Sequence, residues 1–317
     1  MIRILANDGI HPDGKLLLEE AGYEVITDKV PQEELADVIN DFDVIIVRSA
    51  TKIRKPLIDR SNGRLKVVCR AGVGLDNIDV AYAKEKGISV FNTPAASSQS
   101  VAELVMGHIL NISRFLHIAN REMINGNFKG LKKQFSKGKQ LAGSTMGIIG
   151  FGRIGVALAG VALGMGMKVI VSDPYVESRE VPLFPNHYSI KSNALIYTDK
   201  FEDVIRQADT ISLHVPAFDK PLIGAKELAM MKDDAILVNA ARGGVVDEEA
   251  LLEALDSGHL MGAALDVFTG EPTPNKRLLN HPKISVSPHI GASTSAAQSM
   301  IGRELADIIL GFFGELT

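Results

Sequence analysis

A glycine-rich turn between a short apolar segment and an amphipathic segment constrains the fold of this chain more than any other feature. The turn reads Gly150-Phe-Gly-Arg-Ile-Gly155; it follows the apolar residues 146–149 and opens a predicted helix over residues 154–163. The next predicted strand ends at Asp173. Glycines at this spacing let backbone amides approach a pyrophosphate, and the acidic residue accepts hydrogen bonds from ribose hydroxyls. The pattern predicts a dinucleotide-binding βαβ unit, with a turn that binds no ligand as the alternative.

Asp173 also indicates which dinucleotide binds. A 2′-phosphate beside this carboxylate would meet like charge, which disfavours binding. The following residues, Pro174-Tyr-Val176, offer no arginine that could receive the phosphate. The sequence therefore predicts NAD rather than NADP as the cofactor.

Short apolar segments alternate with longer amphipathic segments along the whole chain. Continuous Val/Ile runs are typical of strands that are covered on both faces of a parallel sheet. In the second half of the chain, residues 147–149, 168–172, 210–215, 235–239, 262–266 and 284–287 are predicted as strands. Six is the number of strands in a doubly wound nucleotide-binding sheet. The sequence thus predicts an α/β fold with parallel sheets, and its 317 residues favour two domains.

Four further segments have their own interpretation. A long amphipathic helix is predicted from Val101, with Ser100 and Glu103 as an N-terminal capping box. The basic residues 125–139 are expected to form a loop, and a proline-containing insert at 176–194 is expected to be irregular. A last helix is predicted over residues 295–313.

Composition excludes several classes of function. The chain has 34 basic and 38 acidic residues, a net charge of −4, so no broad basic surface for nucleic acid or an anionic membrane is expected. Aromatic residues make up 5% and tryptophan is absent, which argues against a surface that stacks bases. The N-terminus lacks the pattern of a signal peptide, and no apolar run reaches the ~20 residues of a membrane-spanning helix. A cytoplasmic location is expected.

Neither disulfides nor metal ions are expected. Cys69 is the only cysteine, so an intrachain disulfide is impossible, and its apolar neighbours predict a buried, unreactive thiol. The chain has no H-E-x-x-H motif, and His108, His117 and His281 are interpreted as structural.

Polar residues follow four of the predicted strands at their carboxyl ends, where parallel sheets bind ligands. An arginine can hold a carboxylate through two hydrogen bonds, and a histidine can act as acid or base. Glu271 can orient such an imidazole and favour its protonated form. The structural alternatives are a surface ion pair for the arginine, a strand cap for the histidine and a turn carboxylate for Glu271. The segments are His214-Val215-Pro216, Asn239-Ala240-Ala241-Arg242, Asp266 and Pro288-His289-Ile290-Gly291.

A second glycine pair, Gly72-Val73-Gly74, follows a strand and precedes a helix predicted to begin near Asp76. It lacks a third glycine, and the next strand ends in Asn92 rather than an acidic residue. We interpret it as a loop that binds a small ligand or lies on the nicotinamide side, with a plain turn as the alternative.

These motifs, in this order, resemble those of the D-isomer-specific 2-hydroxyacid dehydrogenases. The resemblance extends nearly end to end and is carried by residues 150–155, 238–247, 263–268 with Glu271-Pro272, and 287–293. It implies that Arg242 binds the substrate carboxylate and carbonyl oxygen, that His289 is the acid/base, and that Glu271 is its partner. With the residues singled out above, the expected NAD-binding set is Gly150, Gly152, Arg153, Ile154, Gly155, Asp173, Pro174, His214, Val215, Pro216, Ala240, Ala241, Arg242, Asp266, His289 and Gly291.

The resemblance also implies a domain organisation. An NAD-binding domain over residues 98–290 is expected to be inserted into a discontinuous substrate-binding domain, residues 1–97 and 291–317, both of Rossmann-like or flavodoxin-like fold. The long helix and the segment after it resemble the family's dimerisation element, so a homodimer is expected. Long family members continue into a serine-sensing domain beyond the point at which this sequence ends, so feedback inhibition through such a domain is not expected.

Within the family, Arg48-Ser-Ala-Thr51, residues 70–77 and Asn92-Thr-Pro94 resemble members that oxidise D-3-phosphoglycerate. Arg48 and Arg70 are the candidates for binding its phosphate. Lys132 or Lys133 of a partner subunit could contribute to the same site; the alternative for these two lysines is a run of charged side chains that only faces solvent. Alternatives are a glyoxylate/hydroxypyruvate reductase, a D-lactate-type dehydrogenase, and an NADH-sensing corepressor that binds without turnover. The expected substrate-binding set is Arg48, Ser49, Arg70, Gly72, Val73, Gly74, Asn92, Arg242 and His289.

Overall fold

The computed structural model describes residues 1–183, 189 and 191–314. The chain divides into two compact units. The first unit comprises Met1–Ser97 and Ala292–Thr317, and the second comprises Ser98–Gly291. In the described part of the chain, no helix is both long and apolar enough to cross a membrane.

The first unit contains a parallel five-stranded sheet in the order β2-β1-β3-β4-β5. Its central strand, Val44–Val47, is fully buried, as its continuous apolar sequence predicts. The strands are β1 (Arg3–Ala6), β2 (Glu24–Ile26), β3 (Val44–Val47), β4 (Val67–Arg70) and β5 (Ser89–Asn92), and the helices are α1 (Pro12–Glu20), α2 (Leu35–Val38), α3 (Lys55–Arg60) and α4 (Val80–Glu85), with a 3-10 turn at Ile39–Asp41.

The second unit contains a parallel six-stranded sheet in the order β13-β12-β11-β10-β6-β7, formed by the six predicted strands. The strands are β6 (Thr145–Ile149), β7 (Lys168–Ser172), β10 (Thr210–Leu213), β11 (Ile236–Asn239), β12 (Gly262–Leu265) and β13 (Ile284–Val286). The helices are α5 (Ser98–Ser113), α6 (Leu116–Glu122), α7 (Phe128–Gln134), α8 (Arg153–Gly164), α9 (Phe201–Gln207), α10 (Ala225–Met230), α11 (Glu248–Asp256) and α12 (Lys276–Asn280), with 3-10 turns at Met123–Asn125 and Phe135–Lys137.

The order of the second sheet places a ligand edge between β6 and β10. From β6 the chain goes to β7 on one side, and from β10 it continues through β11, β12 and β13 on the other. Such a reversal opens a crevice at the carboxyl ends of the two central strands. One face of the sheet packs on α5 and α8, and the other on α9, α10 and α11.

The first unit is completed by α13 (Ser295–Phe313), whose bounds match the sequence prediction. Helices α1 and α13 pack closely, because a Cβ atom at Gly14 would overlap the backbone of Gly302. Cys69 lies in this core with no exposed surface, and burial raises the pKa of its thiol to about 12. The predicted burial of this thiol is confirmed, and a raised pKa disfavours the reactive thiolate.

Two local predictions for the segments around α5 and α7 were wrong. Helix α5 begins at Ser98, so Ser100 lies inside the helix rather than at a capping box. The segment 125–139 contains α7 and a 3-10 turn instead of a loop, because Leu131 is buried and Phe135 stacks on Phe115 with ring centroids 5.4 Å apart. Phe115 itself adopts a left-handed conformation that separates α5 from α6.

The insert predicted to be irregular contains a regular hairpin. Strands β8 (Ser178–Pro182) and β9 (Asn193–Tyr197) pair in antiparallel fashion over five residues each. Residues 184–188 and 190, among them Pro185 and Asn186 of this insert, lie outside the described residues.

Candidate active site

The glycine turn after β6 is tight at two positions and open at one. Gly150 has φ +93°, and a Cβ atom there would overlap the carbonyl of His214. A Cβ atom at Gly155 would overlap the carbonyl of Gly150, whereas one at Gly152 would meet nothing within 4 Å. The open space lies at the N-terminus of α8, where free amides and the helix dipole favour a phosphate. These residues fit the pyrophosphate of a dinucleotide.

Asp173, directly after β7, is fixed beside this turn. Its Oδ2 accepts a hydrogen bond from the Phe151 amide at 2.8 Å, and its Oδ1 accepts one from the Tyr175 amide at 2.9 Å. Each carboxylate oxygen has a second lone pair that can accept from a ribose hydroxyl. The geometry suits the predicted ribose contact.

His214 is an uncharged side chain next to the glycine turn. Its Nε2 lies 2.9 Å from the Ser212 hydroxyl, and its Nδ1 is buried without a hydrogen-bond partner among the described residues. Burial lowers the pKa of the imidazole to about 4, so it is uncharged near neutral pH. A buried nitrogen without a protein partner is consistent with a ligand at this edge of the sheet.

The partly buried His214 makes stability depend on pH. In the unfolded chain its pKa is near the ordinary value of 6.5, so acid protonates the unfolded state first. We expect the free energy of unfolding to fall between pH 6.5 and pH 4, by about 3 kcal/mol at most from this residue. Urea unfolding at several pH values should show a smaller loss in His214→Gln; an equal loss in both proteins would contradict the assignment. His108, whose pKa burial also lowers, acts in the same direction in both proteins.

The other predicted cofactor residues of this unit lie at the same edge of the sheet. The edge is formed by the carboxyl ends of the strands, which is where they were expected. Arg153 and Ile154 begin α8, Pro174 follows Asp173, Val215 and Pro216 follow His214, and Ala240 and Ala241 follow β11.

The turn that carries Arg242 is held by a buried asparagine. Asn239 accepts a hydrogen bond from the Ala241 amide at 3.1 Å and donates one to the Arg242 carbonyl at 2.9 Å. A Cβ atom at Gly243 would overlap the Phe268 carbonyl, so this glycine lets the turn after β11 lie against the segment after β12. The guanidinium of Arg242 is anchored to the Ala241 carbonyl at 2.6 Å.

His289 and Glu271 form the pair that the sequence predicted. His289 Nδ1 lies 2.9 Å from Glu271 Oε2, and the Phe268 amide donates to Glu271 Oε1 at 2.9 Å. The carboxylate therefore fixes the orientation of the ring and supports a proton on Nδ1. Among the described residues, no hydrogen bond engages Nε2, which can exchange a proton with a ligand.

Asp266 holds the loop that carries His289. It is 2% exposed, and it accepts hydrogen bonds from the Ser287 hydroxyl at 2.6 Å, the Ile290 amide at 2.8 Å and the Gly291 amide at 2.9 Å. Sequence reasoning placed Asp266 at the cofactor and missed these contacts. Its direct contact with NAD stays a prediction.

The substrate-binding residues predicted in the first unit lie at the carboxyl end of that unit's sheet. Asp8, after β1, accepts hydrogen bonds from the amides of Arg48 and Thr51 at 2.7 and 3.0 Å, and Asn77 donates to the carbonyls of the same two residues. The loop of Arg48 and Ser49 is thus fixed from two sides. Asp8 was missed, although an acidic residue at a strand's carboxyl end is a recognisable signal.

The second glycine pair is fastened to the end of β5. The Gly72 amide donates to the Thr93 hydroxyl at 2.8 Å, and Asn92 donates to the Val73 carbonyl at 2.6 Å. Arg70 donates to the carbonyl of Ala71 at the base of the loop.

The helix after this loop begins at Val80, not near Asp76 as predicted. Residues 75–78 instead form a turn in which the Ile78 amide donates to the Leu75 carbonyl, and Ile78 bridges to Ile53. This bridge to a segment outside the loop delays the start of the helix.

Comparison with known proteins identifies the family. Residues 106–291 match the family model described as D-isomer specific 2-hydroxyacid dehydrogenase, NAD binding domain. The chain is 43% identical over 311 residues to a D-3-phosphoglycerate dehydrogenase of Methanocaldococcus jannaschii, covering 98% of this chain and 57% of that protein. It is 41% identical over 318 residues to a hydroxypyruvate reductase of Thermotoga maritima, covering 98% of each. The chain spans little more than half the length of the phosphoglycerate dehydrogenases it matches.

A solved structure supports the cofactor. The NAD-dependent formate dehydrogenase of Staphylococcus aureus, solved in complex with NAD, superposes with a TM-score of 0.79 at 29% identity and covers 99% of this chain and 95% of that one. Together with the matching NAD-binding domain and the glycine turn, this identifies NAD as the cofactor. The chain belongs to the D-isomer-specific 2-hydroxyacid dehydrogenase family.

Proposed function

We propose that the protein is an NAD-dependent D-2-hydroxyacid dehydrogenase that oxidises D-3-phosphoglycerate to 3-phosphohydroxypyruvate, the first step of phosphorylated serine biosynthesis. The proposed catalytic role rests on one contact: His289 Nδ1 lies 2.9 Å from Glu271 Oε2. This leaves Nε2 of His289 available for a substrate hydroxyl. Arg242 lies at the end of a strand in the same sheet.

The proposed mechanism assigns one task to each of the three side chains. In the oxidative direction, His289 Nε2 removes the proton of the 2-hydroxyl, while the Glu271 carboxylate stabilises the positive charge that the ring acquires. Arg242 holds the substrate carboxylate and stabilises negative charge on the reacting oxygen. Bound NAD supplies the acceptor for the hydride that leaves C2. In the reductive direction the imidazolium returns the proton to the oxygen.

The choice of a phosphorylated substrate rests on two arginines and on the relatives. Arg48 and Arg70 lie at the carboxyl ends of neighbouring parallel strands in the first unit, and arginine is well suited to bind phosphate. Several relatives, from Methanocaldococcus jannaschii among others, are D-3-phosphoglycerate dehydrogenases. Contributions to the phosphate site from Lys132 or Lys133 of a partner subunit belong to the same proposal.

A phosphate-selective site makes a specific kinetic prediction. We expect the wild type to reduce phosphohydroxypyruvate with a kcat/KM about 100-fold above that for hydroxypyruvate, since charge-assisted bonds to a phosphate contribute about 3 kcal/mol. In Arg48→Gln and Arg70→Gln the advantage should shrink while kcat on hydroxypyruvate stays. Equal kcat/KM values in the wild type would refute the phosphorylated substrate.

A second candidate is a hydroxypyruvate or glyoxylate reductase, or a D-lactate-type enzyme, with the same three catalytic residues. It is favoured by the Thermotoga maritima relative, which matches this chain over 98% of both lengths. An NADH-sensing corepressor is disfavoured, because a protein that only binds NADH has no need for the His289–Glu271 pair.

We further propose a cytoplasmic homodimer, with no nucleic-acid or membrane partner. The segment from α5 to α7, which resembles the family's dimerisation element, has large exposed apolar side chains, and burying such surface favours association. Sedimentation velocity should give the mass of a dimer; a monomer at micromolar concentration would contradict the proposal. The exposed side chains are Leu110, Leu116, Met123, Ile124 and Phe128.

A further inference from the structure

A buried chain of hydrogen bonds runs from α5 to the loop that carries His289, through side chains that the mechanism above does not use. His108 on α5 is 7% exposed, and its Nδ1 and Nε2 each lie 2.8 Å from a hydroxyl, those of Ser285 and Ser287. The Ser287 hydroxyl donates to Asp266 at 2.6 Å. His108 is therefore linked to the carboxylate that holds the loop.

The hydrogen bonds of this series all run in one direction, with each group donating to the next from Asn111 to Asp266. Asn111 donates to the Ser285 oxygen at 2.8 Å, so the Ser285 proton is available for His108 Nδ1. Ser287 gives its proton to Asp266, so its oxygen accepts from His108 Nε2–H. Only the neutral ring with the proton on Nε2 satisfies both hydroxyls in this way. Burial lowers the pKa of His108 and favours that neutral form, against the smaller opposing effect of Asp266.

The loop that carries His289, at the end of this series of hydrogen bonds, has an unfavourable backbone conformation. His289 has φ +55°, in the left-handed region that side chains other than glycine rarely adopt. Such a conformation persists where the surroundings enforce it. Here Asp266 binds the two amides that follow His289, and the Ser287 amide donates to the Leu265 carbonyl before it.

We propose that His108 is a positioning residue for His289: as a neutral donor to Ser287 it fixes Asp266, and Asp266 fixes the backbone that aims the His289 ring. This rests on the proposed acid/base role of His289. The ring of His108 is hydrogen-bonded to Ser285 and Ser287 and not to either residue of the catalytic pair, so its effect is on their geometry.

Two substitutions at this position separate positioning from bulk packing. His108→Leu keeps an apolar side chain but removes both hydrogen bonds, whereas His108→Gln retains an acceptor and a donor on one group. We expect His108→Leu to lower kcat about tenfold or more and to leave the Kd for NADH within about twofold, since small misplacements of a catalytic group are costly. In His108→Leu, the kinetic isotope effect on kcat, measured with NADH deuterated at the transferred hydrogen, should rise. In His108→Gln, kcat should return to within about threefold of the wild-type value.

A second histidine of the same unit provides the control. His259 is also bonded at both ring nitrogens, at 2.9 Å to Asp233 and at 3.0 Å to the Leu228 carbonyl, and neither partner belongs to the His289 loop. His259→Leu should leave kcat and the isotope effect unchanged. A folded His108→Leu with wild-type kcat, or a His108→Gln as slow as His108→Leu, would overturn the proposal.

If His108→Leu does not fold, Ser285→Ala decides, because it removes the donor to Nδ1 that keeps the ring proton on Nε2 and otherwise takes away only the acceptor for Asn111. A lower kcat with unchanged NADH binding supports the proposal, and an unchanged kcat overturns it. The proposed function is tested separately in the same assays. A wild type that reduces no 2-ketoacid would refute that function, whereas an active wild type, an inactive His289→Ala and a fully active His108→Leu would refute only the role of His108.

Discussion

Replacing His289 with alanine should lower kcat for 2-ketoacid reduction by about 1000-fold and leave NADH bound with a Kd within about threefold of the wild type. The variant loses the group that exchanges a proton through Nε2, whereas the glycine turn and Asp173, which suit the pyrophosphate and ribose, stay unchanged. Steady-state rates at 340 nm and NADH fluorescence titration measure the two quantities separately.

His281→Ala is the matched control for this experiment. His281 also pairs with a carboxylate, at 3.2 Å from Asp256, but it lies at the end of α12, and its carboxylate partner lies outside the His289 loop. Its replacement should leave kcat near the wild-type value. Loss of NADH binding together with turnover in His289→Ala would show that this histidine is structural.

The second large effect is expected at Arg242. Arg242→Lys keeps the positive charge but replaces a planar guanidinium, which can bind a carboxylate through two parallel hydrogen bonds, with a single ammonium. We expect kcat/KM to fall by about 100-fold to 1000-fold, with a higher KM and a lower kcat, because the residue both binds the substrate and stabilises charge in the transition state.

Arg277→Lys is the control variant: it shows how far kcat/KM falls when an arginine outside the site is replaced by lysine. Arg277 forms a 2.6 Å ion pair with Glu249 and is largely exposed, so an amine should replace it with little effect. If Arg242→Lys lost no more activity than Arg277→Lys, the substrate carboxylate would have to be bound by another residue.

The parts of the site that sequence reasoning found are those with a local pattern. The glycine turn, Asp173 and the polar residues that follow β10, β11, β12 and β13 could all be located because each lies directly after an apolar strand. Parallel strands bring such positions to one edge of a sheet, so the motif and the topology rule together were sufficient.

The parts that it missed depend on contacts between distant segments. His108 looked like one more polar residue on a long helix, and its partners Ser285 and Ser287 lie 177 and 179 positions further along the chain. The partners of Asp8 were missed for the same reason, because they lie in the loop after β3, although the place of Asp8 itself shortly after β1 was a local signal. No spacing within a single helix or strand records such pairs.

The wrong local predictions have a related cause. Ser100 and Glu103 match a capping box, yet α5 already begins at Ser98. The basic segment 125–139 resembled a loop in composition, but packing of Leu131 and Phe135 supports a helix there. Tertiary contacts overrode the local signals in this segment.

One measurement tests the central claim most directly: purified protein is mixed with NADH and a panel of 2-ketoacids that includes phosphohydroxypyruvate, hydroxypyruvate, glyoxylate and pyruvate. NADH oxidation is followed at 340 nm, and the configuration of each chiral product is determined. We predict turnover that is fastest on phosphohydroxypyruvate, requires His289 and gives the D-hydroxyacid. Turnover of no member of the panel, or an L-product, would contradict the claim.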